Sequence, residues 1–142
     1  MELQVGMVGT TSCRQVGEGP PLVLIHGVGA DKEMWTVLAA RLSGTRRVIT
    51  YDMIGHGLSA KPEGTYALSD FVGQLYQLVQ GLRLEKFDLL GFSMGGLVAQ
   101  GFAVEHQNRL SHLILLNTAV SYTHLRAHET PEHLVCRLLL EK

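Results

Sequence analysis

Cysteine is nearly absent from this chain, with two among 142 residues, Cys13 and Cys136. They show no metal-ligand spacing and no disulfide pattern, so the fold is not stapled by bridges or zinc. Charge of one sign is missing as well. Twelve Lys and Arg stand against thirteen Asp and Glu, for a net charge of −1, which offers no basic surface to nucleic acid or anionic lipid. No apolar run approaches the length of a bilayer span, and Met1-Glu2-Leu3-Gln4 lacks the basic start and apolar core of a secretory signal. These absences point to a reduced, cytoplasmic protein with neither nucleic acid nor membrane as partner. Apolar residues, in contrast, make up 46% of the chain, ample for the core of one ordinary domain, and glycine is frequent at 16 residues.

Taken in order, residues 2–8 and 10–16 alternate weakly around Gly9 and read as two short strands, a candidate hairpin. The run GEGPP (17–21) is a turn signal. Residues 22–25 form a continuous apolar stretch, as expected of a parallel strand covered on both faces, and His26-Gly27-Val28-Gly29 follows at its carboxyl end. Asp31 is placed to cap a helix whose Trp35, Leu38, Ala39 and Leu42 recur at helical spacing. Residues 47–52 read as a strand ending in a loop (53–59) with Gly55 and Gly57. Ser69 is the expected cap of a helix with Phe71, Leu75, Leu78, Val79 and Leu82 on one stripe and Gln74 and Gln77 on the other side. Phe87, Leu89 and Leu90 mark a strand, residues 94–106 a helix, and residues 110–117 a last strand. Strands alternating with helices argue for α/β architecture with a mostly parallel sheet and flanking helices. Ligands bind such sheets beyond the carboxyl ends of the strands, where HGVG, DMIGHG and GFSMGG all fall.

The chemistry concentrates in FDLLGFSMGG (87–96). Gly91-Phe92-Ser93-Met94-Gly95 fits G-x-S-x-G between a strand and a helix, the context a nucleophile elbow requires. A serine on so sharp a turn has strained backbone and a hydroxyl projecting into a cleft. A Cβ at Gly91 or Gly95 would collide with the neighbouring strand or helix. The following helix points its positive end to where an oxyanion would form.

HGVGAD, YDMIGHGLS, LLGFSMGG and LILLNTA, in this order and spacing, resemble the N-terminal half of the α/β-hydrolase superfamily. The nearest likeness is to small esterases, enol-lactonases and meta-cleavage C–C hydrolases. The resemblance covers residues 1–118, as far as the sixth strand. It implies that Ser93 is the nucleophile and that the backbone N–H groups of Val28 and Met94 form the oxyanion hole. His26 and Gly27 would shape that loop, Gly91 and Gly95 the elbow, and Asp52 with residues 55–57 the neighbouring wall. The implied partner is a small-molecule carbonyl substrate, with no cofactor and no metal. Cleavage of an ester or lactone through an acyl-enzyme leads. The alternatives are C–C bond hydrolysis on the same fold and a non-catalytic binding module. A dinucleotide site is disfavoured, because Phe92-Ser93-Met94 breaks the G-x-G-x-x-G spacing. Of the remaining candidates, His26 reads as structural, His56 as a turn residue and Asp52 as a strand-end cap. His106 and His112 read as surface or packing residues, and Trp35 as helix-face packing.

In this superfamily an acid and then a histidine follow the serine on later strands. Nothing after Asn117 reads as those strands, so the triad acid and histidine are expected to be absent from this chain. Residues 119–142 lack the α/β pattern, and from Val120 onward they resemble one reading frame of a transposase-type sequencing-library adapter. The expected division is a partial α/β-hydrolase domain at 1–118 and a non-native tail at 119–142. His124, His128, Glu129 and His133 in that tail do not form H-E-x-x-H, and Pro131 breaks the helix such a metal site needs.

Overall fold

The computed structural model describes residues 9–118, and residues 2–5 by their backbone. Residues 6–8 of the first expected strand, and the whole tail with its histidines and Cys136, lie outside the described residues. Six strands join in one sheet: β1 (Glu2–Val5), β2 (Gly9–Val16), β3 (Pro21–Ile25), β4 (Arg47–Tyr51), β5 (Phe87–Phe92) and β6 (Leu110–Leu116). Their order is β1-β2-β4-β3-β5-β6. The hairpin β1–β2 and the pair β2–β4 are antiparallel, and β4, β3, β5 and β6 run parallel.

The apolar run at β3 is central, flanked by β4 and β5, and Val23, Leu24 and Ile25 have no solvent exposure. Period-two geometry sends its side chains to opposite faces. Leu22 and Leu24 join Val48, Trp35 and Ala39 on one face, beneath α1 (Thr36–Leu42). Val23 and Ile25 join Ile49, Tyr51 and Leu89 on the other, beneath α2 (Leu68–Gly81) and α3 (Met94–His106). Burial of one Leu- or Phe-sized side chain contributes about 1.5–3 kcal/mol, so this two-sided sheet supplies the main stabilisation. Trp35 packs edge-on against Phe92 with centroids 6.4 Å apart, as a helix-face residue should.

The helix starts follow local chemistry, with one departure. Asp31 caps as expected: its carboxylate accepts the Glu33 N–H at 2.9 Å, opening a 3₁₀ turn (Lys32–Trp35) that leads into α1. Ser69, however, does not cap α2. The N-cap is Ala67, and Asp70, three residues on, reaches back to accept the Ala67 N–H at 2.7 Å. This anionic acceptor sits at the positive end of the helix and bonds the N–H of the N-cap residue, not a first-turn N–H as a capping serine would. The position of Gln74 also departs from expectation. Residues 71, 74, 75 and 78 share one face at helical spacing, and Gln74 is fully buried while Gln77 is exposed. Its amide is tolerated there because every part of it is bonded. Oε1 accepts the Ile54 N–H at 2.9 Å, and Nε2 donates to Thr11 Oγ1 at 3.0 Å and to the Asp52 carbonyl at 3.1 Å.

Candidate active site

Three loops leave the carboxyl edge of the sheet at one level, because Ile25 of β3 is paired with Tyr51 of β4 and with Gly91 of β5. Ser93 stands between β5 and α3 with φ +55° and ψ −120°, a conformation rare for a side-chain-bearing residue. The flanking glycines have no room for more. A Cβ on Gly91 would overlap the Gly95 carbonyl, and one on Gly95 would overlap the carbonyls of Ile25 and His26. Gly96 is equally confined, against the side chain of Thr118. The Ser93 N–H donates to the Leu116 carbonyl at 3.1 Å, and its own carbonyl accepts from Gly96 N–H at 2.8 Å. Among the described residues, nothing hydrogen-bonds the Ser93 hydroxyl.

The loop after β3 lies directly against the serine: a Cβ on Gly27 would be 3.2 Å from Ser93 Cβ and 3.1 Å from the Phe92 ring. A turn closes this loop through Ala30 N–H to the Gly27 carbonyl at 3.2 Å, with Gly29 at φ +76° in the position that favours glycine. Val28, at the tip, is 68% exposed. Among the described residues, neither the Val28 N–H nor the Met94 N–H has an acceptor.

His26 has no exposure and serves the scaffold with both ring nitrogens. Nδ1 donates to the Gly27 carbonyl at 2.7 Å, and Nε2 accepts the Met53 N–H at 2.9 Å. That arrangement requires the neutral ring, and burial holds its pKa below the ordinary range. His56 lies in the turn between Gly55 and Gly57, its ring 5.0 Å from that of His26 and its Nδ1 on the Ile54 carbonyl. His106 stacks on Tyr76 at 4.4 Å, and His112 donates to Asp88 at 2.8 Å on the surface.

Asp52 is more than a strand-end cap. Its carboxylate is buried and accepts from Lys32 N–H at 2.7 Å, Leu58 N–H at 2.9 Å and the Lys32 ammonium at 2.9 Å. Burial alone would raise its pKa, but the donors from Leu58 and Lys32 outweigh that and hold it below the usual range. The Asp52–Lys32 pair thereby ties the loop after β3 to the loop after β4. Gly57, at φ +52°, is confined by this same carboxylate. Lys32, Gln74, Gly96 and Thr118 were not singled out from sequence as parts of this scaffold. Gln74 carried a signal, an amide inside an apolar stripe; the others depend on distant partners. Among the described residues no group of three or more His, Cys, Asp or Glu could hold a metal, and no helix is long and apolar enough to cross a membrane.

Comparison with known proteins adds four findings of like kind. Residues 20–135 match the family model described as the alpha/beta hydrolase fold. The chain is 36% identical over 110 residues to 2-hydroxy-6-oxo-2,4-heptadienoate hydrolase of Pseudomonas putida, covering 75% of this chain and 40% of that protein. It is 36% identical over 122 residues to (E)-2-((N-methylformamido)methylene)succinate hydrolase of Acinetobacter baylyi, covering 86% and 46%. Among solved structures, the enol-lactonase of Burkholderia xenovorans LB400 superposes with a TM-score of 0.80 at 33% identity, over 84% of this chain and 47% of that one. The chain thus spans less than half the length of these relatives.

Proposed function

The chain belongs to the α/β-hydrolase fold family, and on that premise we propose that it is the N-terminal half of a serine hydrolase acting on a small carbonyl substrate, an ester or lactone. The observation that carries this reading is Ser93 at φ +55°, with the Gly27 loop against it and two unengaged N–H groups nearby. In this mechanism Ser93 Oγ attacks the carbonyl carbon. The Val28 and Met94 N–H groups receive the oxyanion, the alcohol leaves, and water releases the acid from the acyl-enzyme. The base that takes the serine proton and the acid that orients it lie beyond residue 118 of the parent protein, so residues 1–118 alone are inactive. The reading includes no cofactor, no metal and a cytoplasmic location, the last supported by the low cysteine content.

Residues 119–142 are, in this proposal, a non-native tail. The family match runs to residue 135, so the boundary at 118 rests on the tail's own sequence. Genomic DNA read across residues 118–120 decides it: the proposal expects an α/β frame continuing to an Asp and a His. A gene that encodes the tail itself overturns it.

The test of function is a fluorophosphonate probe on the full-length parent protein. Ser93 is expected to label, and Ser93→Ala to abolish both labelling and turnover of p-nitrophenyl acetate. An unlabelled, folded wild type would favour the non-catalytic module. A second reading, C–C bond hydrolysis of a dienoate, is supported by the named substrate of the Pseudomonas relative. Turnover of such a dienoate in preference to esters would select it.

A further inference from the structure

A serine held at positive φ is strained and persists only where its surroundings over-determine it. At Ser93 part of that restraint comes from the end of β6 and the residues just past it. The Ser93 N–H donates to the Leu116 carbonyl at 3.1 Å, and Thr118 Oγ1 donates to the Ser93 carbonyl at 2.6 Å. Between them Asn117 takes φ +47°, a left-handed conformation that asparagine tolerates. Residues 116 and 118 thus both meet the serine backbone. Thr118 is 2% exposed, and its side chain fills the notch left at Gly96, where a Cβ would strike its Oγ1, Cβ and Cγ2.

We propose that Thr118 is a positioning residue for the nucleophile and the oxyanion donor, an inference that rests on the hydrolase reading. The Ser93 carbonyl and the Met94 N–H belong to one rigid, trans peptide plane. A donor fixed on the carbonyl therefore aims the N–H at the opposite edge of that plane. The Gly96 N–H already bonds the same carbonyl at 2.8 Å, and a second donor from a different direction restricts the plane's rotation. Thr118 touches no substrate in this scheme. Its effect falls on stabilisation of the oxyanion and so on kcat, with ground-state binding left nearly as it was.

The experiment compares Thr118→Val, which keeps the shape and removes the hydroxyl, with Thr118→Ser, which keeps the hydroxyl. Both are made in the full-length parent and assayed with p-nitrophenyl acetate. Thr118→Val is expected to lower kcat by roughly 10–100-fold with KM within about threefold, and Thr118→Ser to restore kcat. Equal loss in both variants, or none in Thr118→Val, overturns the proposal. The Met94 amide resonance in NMR spectra gives a readout independent of activity. It is expected to move in Thr118→Val and stay in Thr118→Ser, and an unmoved resonance in both overturns the proposal. If the wild type shows no Ser93-dependent turnover, the hydrolase reading falls, while the resonance still decides whether Thr118 sets that peptide.

Discussion

Lys32 and Asp52 illustrate what single side chains do for the site. Their ion pair is buried, with side-chain exposures of 6% and 1%, so removing one partner strands a charge at a cost of about 3–5 kcal/mol. Lys32→Met is expected to lower stability by that amount in urea unfolding. Lys32→Met combined with Asp52→Asn should recover part of it, since the stranded charge is gone. Gln74→Leu is expected to cost about 1–3 kcal/mol, because it leaves the Ile54 N–H buried without its acceptor. Ser93 and its glycines were legible because the elbow is local: six consecutive residues carry the strand end, the turn and the helix start. Lys32 was not, since its role depends on Asp52, 20 residues on, and the amide of Gln74 within its stripe gave no sign of its partner Thr11, 63 residues back. Tertiary pairing of that range leaves little trace in spacing.

At the scale of elements, the strands and helices could be read closely. The helix after the elbow runs over Met94–His106 as its spacing indicates, and β3 is the two-sided strand its apolar run implied. Continuous apolar runs and 3.6-residue stripes survive folding unchanged, which is why they are reliable. Caps are harder to place, because several polar residues near a helix start compete for one role and only the backbone path chooses among them. At α2 the choice falls on Asp70, so Asp70→Ala is expected to lower the unfolding free energy by about 1 kcal/mol. Ser69→Ala, within the first turn, should change it by less than about 0.5 kcal/mol. Thermal or urea unfolding of the two variants checks both values. Equal losses would mean that both side chains support the helix end.

The whole molecule should feel acid in two stages. His26 is neutral when folded, chiefly through burial, which outweighs the opposing Gly27 carbonyl; His56 adds a smaller lowering, and Asp52 and Asp31 oppose it more weakly still. Its folded pKa lies below the unfolded value of about 6.5. As pH falls through that value, only the unfolded chain takes up the proton. Stability therefore drops by at most about 1.4 kcal/mol per pH unit until the folded ring also titrates. Asp52, likewise depressed, adds a second loss below about pH 4. Urea midpoints measured from pH 8 to 3 should show both, and His26→Gln should remove the first stage alone. The anchoring of Ser93 by Leu116 and Thr118 also has a consequence in time. During synthesis the serine leaves the ribosome 25 residues ahead of the threonine that bonds its carbonyl. At roughly 5–20 residues per second, the nascent chain carries Ser93 without these anchors for a second or more. Only when the sixth strand docks can both of these backbone bonds to Ser93 form.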